Sequence, residues 1–88
     1  MRSVLFYPVA FKDYVEWNKS NQDIFDKINE LIKEIVREPF KGIGKPEPLK
    51  GNFKAHWSRR ITQEHRLIYK VENDMITIVS CHGHYQDK

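Results

Sequence analysis

Three runs rich in β-branched and aromatic residues, Trp57–Ile61, Arg66–Val71 and Met75–Ser80, are separated only by Thr62–His65 and Glu72–Asp74. Parallel neighbours need a crossover of about a dozen residues or more, so gaps this short require antiparallel hairpins. Upstream, Ser3–Tyr7 is a short apolar run ended by Pro8 and reads as a first strand. From Val9 the period turns helical, with Phe11, Tyr14, Val15 and Trp17 set against Lys12, Asp13 and Glu16. Ser20 or Asn21 offers an N-cap for a second helix, and Asp23 suits its first turn. Ile24, Phe25, Ile28, Leu31, Ile32, Ile35 and Val36 keep one apolar face until Pro39 stops the helix. Pro39, Gly42, Gly44, Pro46 and Pro48 make Glu38–Pro48 a loop, and Leu49–Phe53 is a candidate further strand. The expected fold is α+β, with two N-terminal helices packed on one face of a twisted antiparallel sheet.

The chain has 88 residues, room for one core, so residues 1–88 form a single domain. No apolar run approaches the roughly 18 residues of a membrane span. The opening MRSVLFYPVAFKDY lacks a small-residue cleavage site and reads as a strand rather than a signal peptide. Cys81 stands alone, which excludes an intrachain disulfide and a cysteine zinc site; the expected compartment is the cytoplasm. The formal charge of +3 is unevenly spread. Residues 41–66 carry Lys41, Lys45, Lys50, Lys54, Arg59, Arg60 and Arg66 against Glu47 and Glu64, a local +5. The remainder is −2. A basic segment in an otherwise acidic chain points to a polyanionic partner.

Three places hold candidate chemistry. Glu47 lies between Pro46 and Pro48, whose fixed φ values stiffen the backbone and aim the carboxylate. Lys45 and Lys50 beside it would attract phosphate, although a solvated loop glutamate has the same appearance. In the second place, alternation sets His65, Leu67, Tyr69 and Val71 on one face and Arg66, Ile68 and Lys70 on the other. A two-residue loop at Gln63–Glu64 brings Arg59 to the face of Arg66, whereas a three-residue loop sets Arg60 opposite it. Facing arginines are costly unless an anion lies between them, so either register offers a phosphate-sized site. Trp57 serves equally as core or as a base platform. The third place is Cys81-His82-Gly83-His84-Tyr85. Two histidines at i, i+2 without a third ligand make a poor metal site and a better proton donor. Tyr85 could stack on a base, while Trp17 and Cys81 read as core. One carboxylate, one histidine, arginines and a tyrosine suit RNA cleavage that uses the 2′-hydroxyl as nucleophile.

The strings GKPEPLK, WSRRITQEHRLIY and CHGHY, in this order and spacing, resemble the Txe/YoeB toxins of the RelE/ParE superfamily. The helix text KINELIKEIVREPFKGIGKPEPL extends the resemblance upstream, so that it covers residues 1–85. It implies a microbial-ribonuclease-like fold and a ribosome-dependent mRNA endonuclease that cuts in the aminoacyl site without metal or other cofactor. It also implies a YefM-type antitoxin, toxin homodimers, and contact with operator DNA only through the antitoxin. Residue by residue, Glu47 matches the general base, His84 the general acid, Arg66 the arginine on the scissile phosphate and Tyr85 the tyrosine that orients RNA. Lys50 and Arg60 match supporting basic positions. His82 stands where many relatives carry Lys or Arg, and Gln86-Asp87-Lys88 runs past a tyrosine that often ends the chain. The competing classes are a ParE-like gyrase inhibitor and an RNA- or ribosome-binding module without activity; the pairing of Glu47 with His84 favours chemistry.

Overall fold

The computed structural model of the chain describes residues 2–51 and 54–83. His84 and Tyr85 lie outside the described residues, as do Asn52 and Phe53 of the candidate strand at Leu49–Phe53. Strand β1 (Ser3–Phe6) leads into helices α1 (Pro8–Ser20) and α2 (Gln22–Arg37). Four strands follow: β2 (Glu47–Pro48), β3 (His56–Arg60), β4 (Arg66–Glu72) and β5 (Met75–Ser80). They form one sheet in the order β1-β5-β4-β3-β2. The α+β architecture and the hairpins β3–β4 and β4–β5 agree with the sequence reading. One feature of the expected sheet is corrected. Strand β1 pairs with β5 in parallel, Ser3 beside Met75 and Phe6 beside Ile78, so the sheet is mixed rather than wholly antiparallel. The two intervening helices supply the long crossover that a parallel pair needs. Glu47–Pro48, expected as loop, is a short edge strand against Trp57 and Ser58. Pro48 is tolerated there because an edge leaves one side of the ladder unpaired.

Local chemistry explains the element ends. Pro8 opens α1 at its first turn, where a missing N–H costs nothing. Of the two candidate caps, Asn21 is the one used: its side-chain oxygen accepts from the Ile24 amide at 3.2 Å. Asn73 turns β4 into β5 with φ 47°, a left-handed conformation that asparagine accepts more readily than most residues. Ile28, Leu31 and Ile35 of α2 and Ala10 of α1 are fully buried against Leu67, Tyr69, Ile76 and Ile78 on one face of the sheet. Tyr14 joins the helices by donating its hydroxyl to Asn29 Oδ1 at 2.6 Å.

Cys81 closes this core. Its thiol is fully buried and donates to the Ala10 carbonyl at 3.5 Å. Burial first, and the Asp13 carboxylate second, push the thiol up from 9.0 to about 12. The stabilisation from keeping it neutral is therefore complete below pH 9 and is lost as pH rises from there towards about 12. The folded chain should resist alkylation by iodoacetamide at pH 8, and label rapidly only after unfolding. Mass spectrometry after timed labelling reads this; rapid modification of the folded chain would contradict it.

Candidate functional site

The site begins with the register of the β3–β4 hairpin. Thr62 Oγ1 accepts from the amides of Glu64 and His65 at 3.1 and 3.0 Å, and the Ile61 amide donates to the His65 carbonyl. This closes a three-residue loop and selects the register in which Arg60 stands opposite Arg66. Paired residues in an antiparallel ladder point to the same face. Glu47 pairs with Ser58 and Ser58 with Ile68, giving one row across β2 to β4 on the face turned away from the buried helix contacts. Arg60 and Arg66 form the next same-face row. With strands about 4.8 Å apart and two residues spanning about 7 Å, the Cα atoms of Glu47 and Arg66 are about 12 Å apart. Between them lies a floor of Ser58 and Ile68, both nearly inaccessible. One face of the sheet thus carries a carboxylate on β2 and two arginines on β3 and β4.

Each charged side chain has an identifiable support. Glu47 is exposed at the stiff Pro46–Pro48 segment, with exposed Lys45 and Lys50 to either side. Gly44 fixes where that segment starts. Its φ of 83° falls in the left-handed region, and a Cβ there would meet Leu31 Cδ2 at 2.9 Å and Arg59 Cβ at 3.1 Å. The Gly44 carbonyl accepts from the Arg60 amide at 2.6 Å, joining the loop to β3. Arg60 is exposed. Arg66 is half-buried, and its Nη1 donates to the carbonyls of Thr62, Gln63 and His65 at 2.9, 3.1 and 3.3 Å. That anchorage holds one arm of the guanidinium, and among the described residues its other N–H groups have no acceptor.

Two candidates are corrected. Arg59 is not an RNA contact, because it has no exposed surface. Its Nη2 donates to the Glu38 and Lys41 carbonyls at 2.7 and 2.8 Å, and its Nη1 to Ile43 at 3.0 Å. Its Nε donates to the Tyr69 hydroxyl at 3.1 Å, which in turn donates to the Pro39 carbonyl at 2.7 Å. Burial raises the Tyr69 pKa above 10.0, against the opposing pull of Arg59. The arginine is thus the internal brace of the 38–44 loop. Trp57 also faces the helix side, opposite Tyr69, half-buried against the core and 5.0 Å from the Phe40 ring. It fills the core role rather than that of a base platform on the charged face.

His82 is exposed, but its ring stacks on Trp17 at 5.3 Å and lies 5.1 Å from His65. Sequence reading set His65 on the same face as Leu67, Tyr69 and Val71 and gave it no role. Its Nδ1 accepts the Gly83 amide at 2.8 Å, a contact between residues 18 positions apart that no local pattern signals. Among the described residues no group of three or more His, Cys, Asp or Glu could hold a metal ion.

A family model for the YoeB-like toxin of bacterial type II toxin–antitoxin systems matches residues 6–85. Toxin YoeB of Escherichia coli strain K12 is 53% identical over 76 residues, spanning 86% of this chain and 90% of that protein. The structure of the YoeB dimer from Staphylococcus aureus aligns with a TM-score of 0.89 at 46% identity, covering 96% of this chain and 98% of that one. A YoeB–YefM complex from the same organism gives 0.87 at 46% identity, covering 97% and 99%. The matched residues include both helices and β2 to β5, and the chain belongs to the YoeB-like toxin family of bacterial type II toxin–antitoxin systems.

Proposed function

We propose that this toxin is a ribosome-dependent mRNA endonuclease that cuts message in the aminoacyl site. The observation that carries the reading is the row geometry: Glu47, Arg60 and Arg66 share one face of the sheet across a floor of Ser58 and Ile68. In the proposed step the Glu47 carboxylate removes the proton of a ribose 2′-hydroxyl, and the freed oxygen attacks the adjacent phosphorus. The forked guanidinium of Arg66, assisted by Arg60, neutralises the charge of the phosphorane. The P–O5′ bond then breaks, and His84 supplies the proton to the departing oxygen. A 2′,3′-cyclic phosphate and a free 5′-hydroxyl result. Tyr85 orients the RNA, with Lys45 and Lys50 on neighbouring phosphates and His82 a further contact. The scheme balances without a metal or redox partner, since nucleophile and leaving group both belong to the substrate.

The partners follow from the same surface. A face bearing arginines and lysines calls for an acidic covering segment, and the S. aureus relative is complexed with YefM. We assign this toxin a YefM-like antitoxin, operator DNA reached only through that antitoxin, a homodimeric form like that of its S. aureus relative, and a cytoplasmic site of action. Among the described residues no helix is long and apolar enough to cross a membrane.

Primer extension on mRNA from cells expressing the chain tests the reading. Discrete new 5′ ends within translated frames are expected, and their absence in an untranslated copy of the same message. A chain that binds ribosomes and leaves no cut ends would instead be a binder. The electrostatic component has its own measurement. Ribosome affinity should fall steeply with ionic strength as counterions are released, and a flat response would remove the basic face from the interface.

A further inference from the structure

Gly83 is held at both of its backbone groups by two consecutive residues of β4 and its loop. Its amide donates to His65 Nδ1 at 2.8 Å, and its carbonyl accepts from the Arg66 amide at 3.1 Å. Two residues earlier, the Cys81 carbonyl accepts from Trp17 Nε1 at 2.8 Å. The His65 side chain is only 13% exposed, and its ring meets Trp17 edge-on at 4.9 Å. Gly83 has φ 77°, while a Cβ placed on it would meet nothing within 4 Å. Glycine is therefore required here by the backbone conformation and not by lack of space. The three bonds and this conformation fix the course of the chain as it leaves β5.

We infer that His65 is a positioning residue for the cleavage reaction: its Nδ1 lone pair anchors the amide of Gly83, the residue that immediately precedes His84 and Tyr85 in the sequence. The inference rests on the proposed nuclease reading. The chemistry of the contact is specific. A ring nitrogen that accepts an N–H carries no proton, so the neutral ring holds its hydrogen on Nε2. Glu64 Oε1 lies 3.8 Å from that Nε2, where it favours this tautomer. The same short stretch thus serves both parts of the site: the Arg66 backbone grips Gly83 while its side chain belongs to the charged face. Leucine in place of His65 would fill the pocket but offer no acceptor. His65→Asn shortens the side chain yet sets its amide oxygen near the place of Nδ1.

Three forms of the full chain decide the matter in single-turnover cleavage of message on programmed ribosomes. His65→Leu should lower the cleavage rate by about 10²-fold, the usual cost of a catalytic group displaced by about 1 Å, with ribosome affinity changed less than about twofold. His65→Asn should recover most of the rate. Wild-type cleavage persisting in His65→Leu would overturn the inference. So would a loss that His65→Asn does not repair, because the ring's packing and not its lone pair would then matter. Nitrogen-15 shifts of the His65 ring in the unsubstituted protein are independent of activity. They should show a bare Nδ1 and a protonated Nε2, and the opposite tautomer would also overturn the inference. If the unsubstituted chain cuts nothing while the ring shifts are as expected, the nuclease reading fails and the anchor stands as a structural contact.

Discussion

Arg59→Ala should lower the melting temperature by roughly 12–24 °C, corresponding to about 3 kcal/mol in a domain of this size. The change empties a fully buried volume and strips hydrogen bonds from the carbonyls of Glu38, Lys41 and Ile43 and from the Tyr69 hydroxyl. A buried acceptor left without a donor costs about 1–3 kcal/mol, so even partial rearrangement of the loop leaves a large deficit. Against a total stability of about 5–15 kcal/mol, the loss is severe. Arg59→Lys should recover little, because one ammonium cannot copy a planar fork that serves four acceptors in different directions. Thermal unfolding followed by circular dichroism measures both. A melting temperature within about 3 °C of the parent would show that the 38–44 loop is held by other contacts.

The second large effect concerns rate rather than stability. Glu47→Gln should slow message cleavage by about 10²–10⁴-fold, the usual worth of a general base, because an amide cannot take the 2′-hydroxyl proton. Arg66→Lys keeps a positive charge but loses the forked contact, and should cost about 10²–10³-fold. Both positions are on the open face, and Glu47 is exposed, so the parent melting temperature should be nearly kept in Glu47→Gln. Ribosome binding should persist in that variant and weaken modestly in Arg66→Lys. Quantifying cut ends over time, with affinity measured in parallel, separates the two roles. Undiminished cleavage by Glu47→Gln would end the base assignment and reopen the binding-module alternative.

The contrast between these neighbouring basic residues shows what a linear reading can and cannot reach. Helix α2 and the hairpins β3–β4 and β4–β5 were legible because their spacing and short gaps leave few geometries. The face of Arg66 followed from strand alternation. Whether Arg59 or Arg60 joined it depended on one residue of loop length, and that was decided by the Thr62 hydroxyl capturing two amides. Arg59 counted as surface charge because arginine is seldom buried, and the acceptors that make its burial tolerable are carbonyls 16 to 21 positions away and the Tyr69 hydroxyl across the sheet. The parallel pairing of β1 was equally hidden, since a lone apolar run does not name its partner. His65 escaped notice for a related reason: a histidine on the same strand face as Leu67, Tyr69 and Val71 looks like packing until its distant acceptor role is seen.

The pairing of β1 with β5 also carries an entropic cost in folding. Ser3 meets Met75, while the hairpins β3–β4 and β4–β5 join residues only a few positions apart. Ladder contacts within the hairpins close small loops, whereas β1 must close one that includes most of the chain. The hairpins therefore have a cheaper route to a nucleus than the pairing of β1 with β5. During synthesis, which runs from the N-terminus, β1 and the apolar stripe of α2 emerge before the sheet that covers them has been made. The charged face, assembled from β2, β3 and β4, shares that delay. A toxin with this topology acquires its working surface late, after most of its sequence has left the ribosome that made it.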